Sequence, residues 1–353
     1  MSYKYEHFIA QNTAPPNTKK IGVYNSKGER LFGIPLGTLA PPIETKLYSF
    51  GLLSDIHLYP LAAVAWTPET KFDNALTFFE SKGCLFCAHC GDITQTGLYN
   101  EGDTVNIAPA QFAKYKEICD KHNIPIYGIC GNHESYVNPI TNNLEELKTY
   151  TGTDLYYKVE IQNDVFIFCG QPSGSIPMSD EAFTFLTNTL AENSDKRCFV
   201  FVHPVWSDDS GDVNGVYAGH GGGGPLLSNW SKGTALKNLL AQYPKAVLFH
   251  GHSHIKFQEQ AQDKNLNYTH RNGFHSVHVP SCGTPRNVEN GELVGKTAES
   301  QGYIVDVYSD CVVLNGMDFI ANEYVPLGVL KIDTTLQTIE AGTFTDSTGT
   351  ITT

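Results

Sequence analysis

Short apolar segments alternate with amphipathic helical segments from residue 46 onward, and this alternation limits the fold more than any other feature of the chain. Apolar runs that are bounded by turn residues predict buried strands. Thr70–Lys82 and Pro109–His122 instead repeat their apolar residues at helical spacing. Strands and helices in alternation are typical of a layered α/β domain. The predicted strands of this region are Leu47–Leu53, Cys84–Cys90, Ile124–Cys130, Tyr156–Ile161, Val165–Cys169, Cys198–Val202 and Ala246–Phe249.

The two ends of the chain have a different pattern. Ile21–Tyr24 and Arg30–Leu36 flank a turn sequence and predict a β-hairpin. The residues after Thr334 are rich in threonine, and the region before them predicts further strands at Phe274–Val279, Tyr303–Tyr308 and Val312–Phe319. We therefore predict an N-terminal arm with a hairpin and a Pro-rich linker (1–45), a main domain (46–325) and a C-terminal β extension (326–353).

The chain carries a formal net charge of −13. Because non-specific binding to nucleic acid or to anionic lipid depends on a basic surface, this charge disfavours both as partners. The first residues contain no apolar segment typical of a secretory signal, and no apolar run approaches the ~20 residues that a membrane helix requires. We therefore expect a cytoplasmic protein without a membrane segment, whose oligomeric state the sequence leaves open.

Nine cysteines, an odd number, are scattered along the chain. Most lie inside apolar runs, where a free thiol behaves as a small hydrophobe, and we interpret them as reduced thiols. The spacing of Cys84, Cys87 and Cys90 would also fit an iron–sulfur or zinc site. We favour ordinary strand residues, because a strand would place Cys84 and Cys87 on opposite faces.

Polar side chains follow five of the predicted strands at the point where each strand ends. After the strand Ile124–Cys130, we expect Gly131 to permit a sharp exit, because glycine takes positive φ without a steric penalty. Ligands of open α/β sheets gather beyond the carboxyl ends of strands, so these side chains are expected together. They are Asp55 and His57, Asp92, Asn132 and His133, His203, and His252 and His254.

This set of side chains indicates a metal centre. Carboxylate, imidazole and amide oxygen are borderline-to-hard ligands, which suit Zn, Mn or Fe better than Ca or a thiolate-bound centre. Asp55 and His57 are two residues apart, so a single turn can supply both. The set exceeds the four ligands of a structural zinc. It suits two ions roughly 3.5–4 Å apart that share a bridging carboxylate.

In this order, Asp-x-His, Gly-Asp, Gly-Asn-His-Glu, a single His and Gly-His-x-His resemble the motifs of the calcineurin-like metallophosphoesterases. The resemblance covers about Lys46 to Phe319. It implies an α/β fold that is a four-layer α/β/β/α sandwich with two mixed sheets, here with small β-rich N- and C-terminal extensions. It also implies the ligands: Asp55, His57 and His254 on the first ion, Asp92 as the bridge, and Asn132, His203 and His252 on the second ion.

The resemblance further implies a reaction. A hydroxide between the two ions would attack phosphorus, and His133 would donate a proton to the leaving oxygen or hydrogen-bond the phosphate. Glu134 is a candidate to orient His133. The expected substrate is a small phosphodiester or phosphomonoester.

Departures from related families narrow the expected substrate. In Ser/Thr protein phosphatases of this superfamily, the bridging Asp is followed three and four residues later by an Asp and an Arg. Gln95 and Thr96 occupy those positions here. Purple acid phosphatases have a Tyr three residues after the bridging Asp, where this chain has Gln95. We therefore favour a phosphodiesterase over a protein phosphatase.

A Gly- and Asp-rich connection (206–224) follows His203. Connections of this length inside a domain often cover an active site, so this one is a candidate lid. Together with Asn132 and His133, its residues Trp206, Tyr217 and His220 are candidate substrate contacts.

Two alternatives stay open. A nuclease of the same family would require a basic groove for the nucleic-acid strand, which the overall acidity disfavours. A non-catalytic scaffold in a larger, phage-like assembly would use the two terminal extensions. Loss of catalysis usually erodes the ligands, and none is missing from this sequence, so we favour an enzyme.

Overall fold

The structure is a computed structural model, and the chain divides into two compact units, Met1–Thr45 and Lys46–Thr353. In the first unit, two strands form the predicted hairpin. The structure describes residues 20–24, 30–35, 45–59, 67–95, 108–135, 143–206, 226–259, 268–270, 273–289, 292–334, 344–345 and 351–352.

The helices of the described residues include those that the sequence predicts, with ends shifted by one to three residues. The side chains of Thr67 and Ser179 cap two of them by accepting the backbone N–H groups of Thr70 and Ala182. The helices are α1 (Pro68–Ser81), α2 (Ala108–Cys119), α3 (Asn132–Ser135), α4 (Asn143–Thr151), α5 (Asp180–Glu192) and α6 (Gly233–Leu240), with 3₁₀ turns at Leu227–Asn229 and Pro326–Gly328. None of the helices described in the structure is long and apolar enough to span a bilayer.

The strands are β1 (Lys20–Tyr24), β2 (Arg30–Pro35), β3 (Tyr48–Leu53), β4 (Cys87–His89), β5 (Ile126–Gly128), β6 (Tyr156–Ile161), β7 (Asp164–Cys169), β8 (Cys198–Phe201), β9 (Ala246–His250), β10 (Tyr268–Thr269), β11 (His275–His278), β12 (Arg286–Glu289), β13 (Glu292–Lys296), β14 (Gln301–Val307), β15 (Cys311–Asp318), β16 (Glu323–Tyr324), β17 (Leu330–Asp333), β18 (Phe344–Thr345) and β19 (Ile351–Thr352).

Two mixed sheets form the centre of the second unit. The seven-stranded sheet has the order β16-β15-β14-β3-β4-β5, with β17 also paired to β15. Its strands β3, β4 and β5 are parallel, and β14 and β15 are antiparallel additions. The six-stranded sheet has the order β10-β11-β9-β8-β7-β6, in which β7, β8, β9 and β11 are parallel. The predicted pair of mixed sheets is therefore confirmed.

The two sheets face each other across a layer rich in aromatic side chains. The ring of Phe50 on β3 stacks on Phe86 with centroids 4.9 Å apart. It meets Phe166 and Phe199 of the opposite sheet edge-on, at centroid distances of 5.4 and 5.6 Å. Such pairs contribute about 0.5–1.5 kcal/mol each beyond the burial of their area. This layer therefore holds the two sheets together.

Helices cover the outer face of each sheet. Helices α1, α2 and α4 pack on the seven-stranded sheet through Phe72, Phe79, Phe112 and Leu147. Helices α5 and α6 pack on the six-stranded sheet through Leu186, Leu190, Leu236 and Leu240. The result is the predicted four-layer α/β/β/α sandwich.

A buried ion pair at the amino ends of β7 and β8 binds Tyr48 at the amino end of β3, in the other sheet. Arg197 Nε and Nη2 donate to the two carboxylate oxygens of Asp164 at 3.0 and 2.8 Å. The Tyr48 hydroxyl donates to the same carboxylate at 2.5 Å. Burial, together with Asp164, raises the pKa of Tyr48 well above its usual range. The opposite end of the sandwich, where the parallel strands finish, carries the candidate ligands.

Candidate metal centre

The strand ends that carry the candidate ligands turn sharply. Positive φ costs a non-glycine residue on the order of 1–2 kcal/mol, so it persists only where the surrounding structure holds it, often at functional sites. The turns after β3 and β4 are hydrogen-bonded to each other. The Asp55 N–H donates to the Gly91 carbonyl at 3.0 Å, and the His57 N–H donates to the Asp92 carbonyl at 2.9 Å. Of seven described non-glycine residues with positive φ, five are candidate ligands: Asp55 (52°), His57 (52°), Asp92 (52°), His252 (72°) and His254 (60°).

One group of candidate ligands comes from the turns after β3, β4 and β9. Asp55 Oδ1 lies 3.0 Å from His254 Nε2, and His57 Nε2 lies 2.9 Å from the same nitrogen. Asp92 Oδ2 lies 3.4 Å from His57 Nε2. The four ligand atoms lie within 4.8 Å of one another, and all four side chains are buried.

A second group shares Asp92 with the first. Asp92 Oδ2 lies 3.2 Å from His203 Nε2. His252 Nδ1 lies 3.2 Å from this nitrogen, and Asn132 Oδ1 lies 2.9 Å from it. The Asp92 carboxylate therefore stands between the two groups, as a bridging ligand would. The structure brings the seven predicted side chains together at this edge of the sandwich.

Hydrogen bonds on the far side of two imidazoles decide which nitrogen faces the cluster. His203 Nδ1 lies 2.7 Å from the Cys90 carbonyl, and His254 Nδ1 lies 3.2 Å from the Thr284 carbonyl. A carbonyl oxygen only accepts, so each Nδ1 carries the proton and each Nε2 presents a lone pair. Asp55 Oδ1 lies 3.0 Å from His254 Nε2, so at this contact two lone pairs face each other without a hydrogen between them.

These opposed lone pairs fit cations. Asp55 Oδ1 and Asp92 Oδ2 are buried and make no hydrogen bond within the described part of the chain. Buried acceptors without donors are costly unless a cation or proton lies between them. Ligands about 2.0–2.2 Å from one ion lie about 3.0–3.4 Å from each other. The spacings in the cluster match that range, so the donor set fits a dinuclear metal site.

Electrostatics support the same conclusion. Burial alone would raise the pKa of Asp55 and of Asp92, but the surrounding imidazoles outweigh it and hold the pKa of both carboxyls well below the usual range. Burial opposes protonation of His203, yet Asp92 raises its pKa to about 9, so without a bound cation a proton would occupy the Nε2 lone pair. Burial lowers the pKa of His252 to about 3. Two ionised carboxylates in a desolvated cluster require positive charge nearby.

Glycines allow the ligand-bearing turns to approach closely. A Cβ on Gly131 would lie 2.1 Å from Asp92 Oδ1, and a Cβ on Gly251 would lie 2.4 Å from Asp55 Oδ2. The predicted reason for Gly131 is wrong, because the glycine with positive φ at this edge is Gly91, at 97°. Gly131 is needed because the Asp92 carboxylate rests against its backbone.

The sequence profile of the calcineurin-like phosphoesterases matches residues 48–256. That is more than half of the chain, and it contains every candidate ligand. The chain belongs to the calcineurin-like phosphoesterase family. The resemblance predicted from the motifs is confirmed.

Two solved structures share the fold of this calcineurin-like phosphoesterase. A dimetal phosphatase from Danio rerio matches with a TM-score of 0.56 at 13% identity, over 82% of this chain and 100% of the other. A purple acid phosphatase from seeds of yellow lupin (Lupinus luteus) matches with a TM-score of 0.52 at 13% identity, over 89% of this chain and 59% of the other. No curated protein sequence matches the chain.

His133 of this phosphoesterase lies beside the cluster and belongs to neither ligand group. Its Nδ1 hydrogen-bonds the Gln95 carbonyl, and its Nε2 lies 3.9 Å from Asp92 Oδ2. The ring meets His57 edge-on, with centroids 4.6 Å apart. Burial lowers the pKa of His133 to about 3, although Asp92 opposes this effect. One nitrogen thus anchors the ring and the other is directed toward the cluster.

Glu134 has a different role from the predicted one. Its buried carboxylate accepts the N–H groups of Gly131, Asp92 and Thr94 at 2.6, 3.1 and 2.7 Å, and also the Thr94 hydroxyl at 3.0 Å. Burial and the neighbouring Asp92 raise its pKa to about 7. Glu134 therefore ties the turn after β4 to the turn after β5, instead of orienting His133.

The predicted substrate contacts have mixed outcomes. Trp206 is 1% exposed, and its ring packs on Phe274 with centroids 5.6 Å apart. Trp206 is a core residue, because the chain after His203 enters the apolar layer beneath α6. This placement argues against the predicted contact with substrate. Tyr217 and His220, with most of the candidate lid, lie outside the described residues.

Sequence analysis missed a third set of contacts to the ligands, from the turn after β11. Ser281 Oγ donates to the Asp55 carbonyl at 2.8 Å, and Thr284 supplies the carbonyl that anchors His254. From the turn after β3, Ser54 Oγ also donates to Asp55 Oδ2 at 2.5 Å. The available signal was position: β11 runs parallel to β9, so its carboxyl end had to reach the same edge.

All nine cysteines are free thiols, as predicted. The predicted separation of Cys84 from Cys87 is wrong, because β4 begins only at Cys87, and both side chains lie in the apolar cluster under α1 and α2. Cys90 lies in the layer between the sheets. Burial raises the pKa of the Cys84 thiol to about 12, which fits packing residues rather than metal ligands.

Proposed function

We propose that this protein is a dinuclear-metal phosphoesterase that hydrolyses a small phosphodiester or phosphomonoester. The observation that carries the proposal is the set of opposed lone pairs around Asp92, at 3.2 Å from His203 and 3.4 Å from His57. We propose Mn, Fe or Zn as the ions, because the donors are carboxylate, imidazole and amide oxygen.

The proposed assignment follows the two groups. Asp55, His57 and His254 would hold one ion, Asp92 would bridge, and Asn132, His203 and His252 would hold the other. When bound, the ions would supply a nucleophile at neutral pH and neutralise charge on the phosphoryl oxygens. The chain supplies fixed ligand atoms, because Ser54, Cys90 and Thr284 immobilise three of these side chains from behind.

His133 is the proposed proton donor to the leaving oxygen, because the negative charge of a bound phosphate ester would raise its pKa from the low value that burial imposes and place a proton on Nε2. Its anchored Nδ1 leaves Nε2 directed at the cluster, 3.9 Å from Asp92 Oδ2. Its side chain is 12% exposed, whereas that of Asp92 is 1% exposed, so a substrate can reach it. Positioned acids of this kind contribute about 10²–10⁴-fold to rate.

A protein phosphatase is not favoured by the described site. The position that would carry the Asp that supports the histidine is Gln95, whose carbonyl instead contacts His133 directly. A non-catalytic scaffold is also disfavoured, because the seven proposed ligands are all present and buried. A small-molecule phosphodiesterase remains our preferred form of the proposal.

The test is hydrolysis of an aryl phosphodiester and an aryl phosphomonoester by protein loaded with Mn, Fe(II) or Zn. Asp92→Ala should abolish both activity and bound metal. His133→Ala should lower kcat by about 10²-fold or more while metal content stays at the wild-type value. Asp154→Ala, which removes only an exposed pair with Lys148, is the matched control. Full activity in both site variants would show that the site assignment is wrong.

A further inference from the structure

The segment between β11 and β12 is built against the first group of ligands. The Gly283 N–H donates to the Asp55 carbonyl at 3.0 Å, and Thr284 Oγ1 lies 2.9 Å from His254 Nδ1. The Arg286 N–H then donates to the His254 carbonyl at 2.9 Å. The Arg286 backbone is thus fixed directly beside the candidate ligand His254. Arg286 belongs to β12, a strand that supplies no residue to the proposed mechanism.

The backbone at Arg286 is irregular. It opens β12, and the pairing with β13 shifts register between Arg286 and Asn287. Arg286 also forms an isolated parallel bridge with Ile255, which joins the turn after β9 to the β12–β13 pair. Register shifts of this kind include β-bulges, which are common beside active sites.

The Arg286 guanidinium differs from other partly buried cations of the described residues. Within the described part of the chain, its buried Nε makes no hydrogen bond, and no carboxylate forms an ion pair with it. Arg197 instead pairs with Asp164 at 2.8 Å, and Lys256 pairs with Glu299 at 3.1 Å. A buried Nε without an acceptor is costly, so a ligand that supplies an acceptor would be favoured at this position.

We propose that Arg286 binds a phosphoryl oxygen of the substrate, one that the two ions do not hold. This inference rests on the proposed function. The planar guanidinium fork matches two phosphoryl oxygens, which makes arginine well suited to this contact. The oxygen belongs either to the terminal phosphate or to a second, neighbouring phosphate. In the first case Arg286 favours phosphomonoesters, because a phosphodiester has one fewer free oxygen.

Electrostatics agree with this position. Burial lowers the pKa of His254, and among the smaller contributions the Arg286 charge lowers it further. A cation close enough to affect that ring is close to the edge of the ligand cluster. The ionised Asp55 and Asp92 lie inside the cluster and would be neutralised by the ions, which leaves Arg286 available for substrate.

The experiment measures binding of inorganic phosphate and of pyrophosphate by calorimetry, with Mn-loaded protein. The variants are Arg286→Met, which keeps the apolar stem, and Arg286→Lys, which keeps the charge but not the fork. Lys256→Met is the matched control, since it removes a neighbouring cation that already has a partner. Mn binding by each variant is measured separately and should equal that of the wild type.

Arg286→Met should raise the Kd of the probe by at least about tenfold, Arg286→Lys by less, and Lys256→Met hardly at all. Weakening of both probes identifies the terminal phosphate, and weakening of pyrophosphate alone identifies a neighbouring phosphate. Three results would overturn the inference and leave the proposed function standing. They are unchanged Kd values in Arg286→Met with normal Mn binding, equal losses of affinity in Lys256→Met, and a wild type that binds Mn but neither probe. A wild type that binds no metal would overturn the proposed function, and this inference with it.

Discussion

Replacing Gly131 with alanine is the sharpest steric test of the bridging carboxylate. The added Cβ would lie 2.1 Å from Asp92 Oδ1, 2.8 Å from its Cγ and 2.7 Å from its backbone nitrogen. Asp92 cannot yield by turning a flexible end, because Oδ1 also accepts the His133 N–H at 2.9 Å and the Asp92 N–H donates to Glu134 at 3.1 Å. The whole residue must therefore move.

The size of that movement follows from the contact. Restoring ordinary van der Waals separation requires Asp92 Oδ1 to shift by about 1 Å or more. Metal–ligand distances tolerate only about 0.2 Å, so the carboxylate would no longer bridge. Disturbing a partner of a ligand typically costs 10–100-fold in metal affinity. We expect Gly131→Ala to lose about 100-fold or more for at least one ion, and about 1–3 kcal/mol of folding stability from overpacking.

The assay combines calorimetric Mn titration with metal content after desalting, and urea unfolding gives the free energy of unfolding. Gly152→Ala is the matched control: Gly152 has a φ of +72° and nothing within 4 Å of its Cβ position. That variant should lose about 1 kcal/mol of stability through strain and bind metal normally. If Gly131→Ala bound two ions with wild-type affinity, the placement of Asp92 between the two groups would be refuted.

Three other predictions concern the rest of the molecule. Arg197→Met, which leaves Asp164 buried without its cation, should destabilise the fold by about 3–5 kcal/mol in urea unfolding; a loss below about 1 kcal/mol would contradict the buried pairing. Chelation should lower the Tm of Mn-loaded protein, and added Mn should restore it, because ligands that bind only the folded state stabilise it; identical melting curves would argue against a resident metal. In the native state a thiol reagent should react slowly with Cys119, the least buried cysteine, and after unfolding with all nine; rapid native labelling of several thiols would contradict the packing.

Much of the fold was predictable because its signals are local. Apolar runs and helical spacing identified β3, β7, β8 and α1 to within a few residues, since burial acts on each segment through its own pattern. The C-terminal boundary was harder. Residues 330–333 lie inside the predicted extension yet pair with β15, and such pairing depends on a strand distant in sequence.

The errors share a cause. Gly131 was assigned to a sharp turn, whereas its function is to leave room for Asp92, a residue from another strand. Trp206 was assigned to the substrate, whereas a neighbouring sheet and helix enclose it. The sequence makes Glu134 a candidate to orient His133, whereas its carboxylate oxygens accept N–H groups from Asp92 and Thr94 in the turn after β4. Each depends on which segments meet, and spacing along the chain does not specify that.

The sequence by itself determined which chemical groups stand at the strand ends, because a ligand placed just after an apolar run is carried to the edge of the sheet wherever that strand lies. Only the tertiary structure decided how those groups combine. Packing of the two sheets brings Asp92 of one within 3.2 Å of His203 of the other. Mutual hydrogen bonding joins the turns that carry Asp55, His57 and Asp92. The carbonyls of Cys90 and Thr284 determine which imidazole nitrogens face inward. These contacts join residues far apart in sequence, so their geometry exists only once the sandwich has closed.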